Sequence, residues 1–166
     1  MNSRSKRVVL GVLVLAIVTA GVVVAVELFA PEQATQVDES AAAAGVSSSA
    51  RVLETGTFSG KTGHQVAGTV TVFRDGTGYY LRFENYSQTQ GPDVFVYLTP
   101  AGDPETTEEV EAGRKIRIDG GADGGESTKE GTFAQRLLDD VDPTQYNGVS
   151  IWCEDFGVPF GSATLR

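Results

Sequence analysis

Apolar and polar residues alternate with a period of two along much of the chain after residue 51. The valines of QVAGTVTVF (65–73) fall on one face of an extended chain and its threonines on the other, as in a half-buried β-strand. The turn-forming residues DGTG follow at 75–78, and YYLRF at 79–83 resumes in β-forming residues. The pattern therefore predicts a β-hairpin over residues 64–84.

Four further segments favour strands: DVFVYL at 93–98, RKIRI at 114–118, GVSIWC at 148–153 and VPFGSATL at 158–165. FAQRLLDDV at 133–141 is compatible with one or two helical turns or with a short strand. No other segment after residue 51 keeps a helical period, and turn residues recur at short intervals. These features predict an all-β fold, an antiparallel β-sandwich or a flattened barrel.

The pattern is different near the N-terminus, where residues 8–26 contain no charged side chain. At ~1.5 Å per residue, a helix of this length nearly crosses a ~30 Å hydrocarbon core. The basic residues Arg4, Lys6 and Arg7 precede it and acidic residues follow it, an asymmetry that keeps a basic tail in the cytoplasm. We therefore expect a cytoplasmic tail at 1–7 and a transmembrane signal anchor at 8–26. A cleaved secretory signal is the alternative.

Residues 27–50 are rich in Ala, Ser, Glu and Gln and have no sustained apolar period. This composition predicts a flexible stalk. The globular domain is expected at 51–166, on the extracellular side of the cell membrane, in a single-pass protein.

The net negative charge of the chain argues against some classes of binding partner. All 22 acidic residues lie beyond the apolar run, together with 10 of the 13 basic residues, so the exported part carries a net charge of −12. A domain this acidic repels phosphate backbones, which argues against nucleic acid as a partner. Many carboxylates and only four lysines suit solubility in high salt, as in a salt-loving source, but they also suit an ordinary acidic secreted domain.

The chain has one histidine and one cysteine, which excludes several kinds of site. An internal disulfide needs two cysteines, a blue-copper centre needs two histidines and a cysteine, and a structural zinc site needs four Cys or His ligands. The sequence has no nucleophile-elbow, phosphate-loop or dinucleotide motif. It names no cofactor, and a hydrolase is not expected.

Two short motifs are open to more than one interpretation. DGGADGGESTKE places Asp119, Asp123 and Glu130 at calcium-loop spacing, but glycine occupies the third position, where an oxygen ligand is expected. A solvated acidic turn is the alternative to a calcium site that stabilises an adhesion module. Asn85 begins the triplet NYS, an N-glycosylation acceptor pattern.

Strand alternation puts Val149, Ile151 and Cys153 on one face, and we expect Cys153 to point inward. Trp152 then takes the opposite face, and a bulge or turn is required around Glu154–Asp155 because the following apolar residues change parity. A buried free cysteine is most often a small apolar packing residue, and acidic neighbours would raise its pKa. The residues alone therefore favour packing over reactivity.

Three stretches taken in order resemble the DM-thirteen family, which is described as an electron-transfer domain. They are HQVAGTV (64–70), LRFENY with GPDVFVYL (81–98), and VSIWCEDFGVPFGSATL (149–165). The resemblance covers about 55–166. It implies an extracytoplasmic β-rich domain, found in some proteins beside haem-binding DOMON domains. The positions that match the motif are His64, Gly91, Pro92, Asp93, Trp152, Cys153, Phe160 and Gly161.

The resemblance also implies redox chemistry at Cys153, with Trp152 shielding the thiol and His64 as a second polar member. A lone cysteine needs a bound cofactor or metal, a partner thiol, or sulfenic acid chemistry to cycle. We therefore expect a membrane-anchored redox or electron-transfer domain with a redox partner protein. The alternative is a non-catalytic binding or adhesion module in which Cys153 is structural.

Overall fold

The computed structural model describes residue 18 and residues 34–39, 49–121 and 129–166. The chain divides into two units, Met1–Pro31 and Glu32–Arg166, and the fold given below is that of the second. Apart from Val18, the predicted anchor at 8–26 lies outside the described residues. Among the residues that are described, no helix is both long and apolar enough to span a membrane.

Within the described residues, ten strands form two five-stranded sheets, which confirms the all-β prediction. The first sheet has the order β1-β8-β5-β4-β2, and the second has the order β3-β10-β9-β6-β7. Every pairing is antiparallel except β1 with β8. The strands are β1 Thr35–Asp38, β2 Arg51–Thr57, β3 Ser59–Gly60, β4 Val66–Asp75, β5 Gly78–Gln88, β6 Val94–Thr99, β7 Arg114–Ile116, β8 Lys129–Arg136, β9 Gly148–Cys153 and β10 Val158–Thr164.

The sheets pack face to face as a sandwich, because one continuous apolar core draws alternate residues from both. In the first sheet, Phe83 stacks on Phe133 with ring centroids 4.7 Å apart. In the second, Val149, Ile151 and Cys153 face this core. The predicted inward orientation of Cys153 is therefore confirmed, as is the hairpin, which β4 and β5 form.

The outer face of the second sheet is also buried at its two central strands, so β6 and β9 have no exposed residue. A short helix, α1 (Thr107–Glu111), lies over it and inserts Val110 against the sheet. The helix begins with a capping box, in which Glu109 N–H donates to Thr106 Oγ1 and Thr106 N–H donates to Glu109 Oε2. The apolar period did not predict this helix, but Thr106 and Glu109 have the S/T-x-x-E spacing that marks a helix start.

Three further predictions can be compared with the structure. Four residues of the predicted stalk, Thr35–Asp38, form edge strand β1 beside β8. The ambiguous segment 133–141 takes the strand alternative as far as Arg136, because Phe83 and Tyr80 pair with it. The parity change after Cys153 is a turn over residues 154–157, as expected, and the bulge lies later, between Pro159 and Gly161.

Candidate functional site

Cys153 is the last residue of β9, at one end of the sandwich, where it pairs with Val94 and Val158. Its accessible surface is 0%. The thiol donates a hydrogen bond to the carbonyl oxygen of Pro92, with 3.1 Å between Sγ and O. Only the four-residue turn 154–157 separates β9 from β10 here, so the sulfur lies at the end of the core beside a single turn.

The Gly91-Pro92-Asp93 segment supplies the carbonyl that faces the sulfur. A side chain at residue 91 would put Cβ 2.8 Å from Phe160 Cζ, so the close approach of that ring requires glycine. Asp93 has a left-handed φ of 45°, a conformation that aspartate tolerates better than most residues. Its carbonyl accepts the N–H of Glu154 at 2.9 Å. The segment and the turn after Cys153 are therefore bonded together.

His64 reaches the same end of the sandwich through Phe160. The two rings are stacked at 3.7 Å with an interplanar angle of 10°. The main chain fixes this arrangement, since Lys61 N–H donates to Phe160 O and His64 N–H donates to Lys61 O, both at 2.8 Å. His64, Phe160, Gly91 and Cys153 are thus linked by successive contacts through Pro92, although within the described residues no hydrogen bond joins the imidazole to the sulfur.

The groups around the sulfur act on its pKa in opposite directions. Burial is the largest cause and raises the pKa of the Cys153 thiol, and the carboxylates of Asp155 and Asp93 raise it further. Hydrogen bonding to the backbone N–H groups of Phe156 and Asp155 lowers the pKa in part. The net shift is upward, so the resting group is a protonated thiol.

A family model described as Electron transfer DM13 matches residues 57–165 of this chain. The chain belongs to the DM13 family. The predicted resemblance is therefore confirmed, and the match begins within β2 and includes the whole Cys153 region. No curated protein and no solved structure was found to match the chain.

Trp152 in the DM13 domain lies on the opposite face of β9 from Cys153. It is 2% exposed and packs with Phe95, Tyr97 and Val110 in a cluster separate from the core that contains the thiol. Its indole therefore covers the outer face of the sheet. It does not lie beside the sulfur, contrary to the expectation that it shields the thiol.

A polar cluster that sequence reasoning missed lies beside this face. Tyr97 Oη donates to Glu154 Oε1, and burial, together with that carboxylate, raises the pKa of Tyr97. Lys115 Nζ lies 3.1 Å from Glu154 Oε1 and 3.0 Å from the Phe95 ring centroid. The uninterrupted apolar run at 94–98 could have indicated that this face is covered, because a strand that is apolar on both faces needs a covering layer.

Within the described residues, the proposed calcium ligands Asp119 and Glu130 are not brought together. The Asp119 main-chain N–H and carboxylate are bonded to Gln135, whereas Glu130 bonds the main chain of Gln88 and the side chain of Gln90. Gln135 and Glu130 are five residues apart in β8, which is roughly 16 Å of strand. One cation cannot span that distance. Asp123 lies outside the described residues.

The remaining candidates are Asn85 and a metal site. Asn85 is exposed with a φ of 50°, and its N–H donates to Thr132 Oγ1 at 3.3 Å. Its glycosylation stays a prediction. Over the described ranges, no three or more His, Cys, Asp or Glu side chains form a group able to hold a metal ion.

Proposed function

We propose that this DM13 domain is a redox or electron-transfer module whose reacting group is Cys153. The observation that carries the proposal is the environment of the sulfur: the Pro92 carbonyl accepts a hydrogen bond from the thiol, while hydrogen bonding to the backbone of Phe156 and Asp155 lowers the pKa of the thiol in part. The Pro92 carbonyl stabilises the protonated thiol, and the backbone N–H groups of Phe156 and Asp155 stabilise an anionic sulfur. The family description as electron transfer supports the same conclusion.

The chemistry that fits a lone cysteine is exchange with a disulfide of a partner protein. The Cys153 thiol loses its proton, and its sulfur attacks one sulfur of the partner disulfide. A bond forms between those two sulfurs as the partner disulfide breaks, and the departing partner thiolate takes up the proton. The partner half that leaves is reduced to a thiol, while Cys153 is oxidised to a mixed disulfide.

Within this step the neighbouring residues act as positioning groups. The N–H groups of Asp155 and Phe156 stabilise the attacking thiolate, while Asp155 and Asp93 oppose it through charge. Phe160 and Gly91 hold the turn that carries Pro92, and His64 braces Phe160. His64 therefore supports the site through packing and does not act as a base.

We further propose that residues 8–26 anchor the domain to the cell membrane with the DM13 domain on the extracellular side. The apolar run and its basic N-terminal flank support this topology. Membrane fractions of the host are washed with alkaline carbonate, and intact cells are treated with protease. Retention of the chain in the membrane together with loss of the DM13 domain is expected. A chain released by carbonate, or protected until lysis, contradicts the topology.

A second candidate function is a binding or adhesion module in which Cys153 only fills the core. The complete burial of Cys153 and the raised pKa of its thiol favour this candidate. The two candidates differ in one property: whether the sulfur becomes accessible while the domain stays folded.

The experiment measures the reaction of Cys153 with 4,4′-dithiodipyridine in the full-length chain, with Cys153→Ser as the blank. Backbone hydrogen exchange at Ile151 gives the free energy of global opening in the same buffer, which sets the rate of modification expected through global opening alone. The redox proposal expects modification much faster than this rate, with the fold retained in the adduct. Modification no faster than this rate assigns Cys153 to packing. An absorption spectrum of the purified chain tests in addition for a coloured cofactor.

A further inference from the structure

A second feature of the DM13 domain lies away from Cys153, in a cleft between the edges of the two sheets. It has a volume of about 410 Å³, which falls within the range of small-ligand sites. The walls come from β2 of the first sheet, and from β3, β10 and the loop at residues 102–103 of the second. A side chain at Gly56 would put Cβ 2.8 Å from the Thr164 carbonyl oxygen, so glycine here lets β2 approach β10 closely.

Seven of the eight described residues that line this cleft have polar side chains. Five hydroxyl side chains, one carboxylate and one guanidinium line it with a glycine, and no apolar or aromatic side chain is among them. The hydroxyls belong to Thr55, Thr57, Ser59, Ser162 and Thr164. Each hydroxyl both donates and accepts. A surface of this kind suits a ligand that itself has several hydroxyl groups.

The carboxylate of Asp103 is fixed in place by the fold. Its Oδ1 accepts from the buried Ser162 hydroxyl and lies 2.7 Å from Lys61 Nζ. Hydrogen bonds from Lys61 and then Ser162 lower the pKa of Asp103, so the carboxylate is ionised at neutral pH. Lys61 is fixed in turn, since its ammonium also donates to the Pro104 carbonyl at 3.0 Å.

The opposite wall supplies donors. Arg166 is held beside β2 by two main-chain hydrogen bonds with Thr55, of 2.9 and 3.1 Å. Within the part of the chain that the structure describes, the Arg166 guanidinium and the hydroxyls of Thr57 and Ser59 make no hydrogen bond or ion pair. They are therefore available to a ligand, opposite a carboxylate whose charge Lys61 already compensates.

We propose that this cleft binds a neutral polyhydroxyl ligand, a monosaccharide or one sugar unit of a larger carbohydrate. Asp103 Oδ2 accepts from ligand hydroxyls, Arg166 donates to them, and Thr57 and Ser59 do both. A cationic ligand gains less, because Lys61 already occupies Oδ1. A dianion is repelled by Asp103 and by the net charge of the domain. The inference does not depend on the redox proposal, since none of these residues contacts Cys153.

Binding is tested by amide NMR of the full-length chain, in lauryldimethylamine oxide so that the detergent carries no sugar headgroup. The probes are D-glucose, D-galactose and D-mannose, the disaccharides maltose and lactose, and glycine as a small zwitterion. At least one sugar is expected to shift the amides of Thr57, Ser59, Asp103 and Ser162. A stronger effect of a disaccharide identifies one unit of a longer glycan, and an equal effect identifies a single sugar.

The variant Asp103→Asn is expected to weaken the binding of that sugar at least about tenfold, since it removes a charged acceptor. Asp140→Asn is the matched control, because Asp140 has the same kind of ion pair with Arg114 and nearly the same side-chain exposure, 63% against 61%. Thr57→Val, which keeps the β-branched shape, is expected to weaken binding without altering the fold. Shifts with glycine alone, no shift with any sugar, or equal losses in Asp103→Asn and Asp140→Asn would overturn the proposal.

Discussion

At the scale of single residues, the surroundings of Cys153 push its pKa in both directions. Burial and two carboxylates favour the thiol, while two backbone N–H groups favour the thiolate. The raised pKa means that the folded state keeps this proton to higher pH than the unfolded chain, whose thiol has a pKa of 9.0. The contribution of Cys153 to stability is therefore complete below about pH 9 and is lost as the pH rises through the folded pKa.

Asp155→Asn is predicted to lower the pKa of Cys153. The change removes a negative charge near the sulfur but keeps the Asp155 main-chain N–H whose hydrogen bonding lowers the pKa. The pKa is measured from thiolate absorbance as a function of pH, with Asp139→Asn as a control carboxylate that lies in another loop and pairs with Arg136. An unchanged titration in Asp155→Asn, or an equal change in the control, contradicts the proposed electrostatics.

The aromatic core offers a second prediction at this scale. Phe83 is fully buried and stacks on Phe133 and Phe58, whereas Phe156 is 62% exposed. Phe83→Ala should lower the free energy of unfolding by about 3–5 kcal/mol through lost burial and a cavity. Phe156→Ala should lower it by less than about 1 kcal/mol. Urea unfolding measures both values, and similar losses in the two variants would show that the core assignment is wrong.

At the scale of elements, strands were predictable where their alternation is local. The valines and threonines of β4, the turn at 75–78 and the apolar segment at β6 each carry their own signal within a few residues. By contrast, the hydrogen bond from Cys153 to Pro92 joins positions 61 residues apart, and no local pattern contains it. The sequence thus predicted that Cys153 points inward. The contact of its thiol with the turn at Pro92 was not predictable, because it depends on the packing of both sheets.

Strand β1 shows why an edge strand is difficult to predict from sequence. Its four residues have no apolar alternation, and they are ordered by main-chain pairing with Lys129–Thr132 of β8. Gly131, with a φ of 100°, permits this pairing, because a Cβ there would overlap the Val37 carbonyl oxygen. The position of β1 therefore depends on a glycine almost a hundred residues away along the chain.

Gly131→Ala is consequently predicted to detach β1 and leave the central hairpin of β4 and β5 folded. Hydrogen exchange should show lost protection at Thr35–Asp38 and retained protection at Val70 and Val72. Gly76→Ala is the matched control, because a Cβ at Gly76 meets nothing within 4 Å. Unchanged protection of β1 in Gly131→Ala would contradict its proposed dependence on this glycine.

At the scale of the whole molecule, negative charge dominates the chain after residue 26. Beyond residue 26 it has 22 acidic and 10 basic residues, so acidic residues exceed basic ones by 12. Exposed ion pairs contribute only about 0–1 kcal/mol each. Repulsion among the excess carboxylates acts against the folded state and weakens as salt screens it.

We therefore predict that the thermal unfolding midpoint rises between about 0.1 M and about 1 M NaCl, as the Debye length falls from about 10 Å to about 3 Å. Replacing Glu105, Glu108 and Glu111 by glutamine should reduce this dependence, because these exposed carboxylates lie within or beside α1 and outside its capping box. Lys61, which lies 3.8 Å from Glu105, keeps its closer ion pair with Asp103 in this variant. Glu109 is left intact, since it caps the helix. A midpoint that falls with salt would mean that the surface ion pairs outweigh the repulsion. An unchanged salt dependence in the triple variant would show that the repulsion does not arise at this helix.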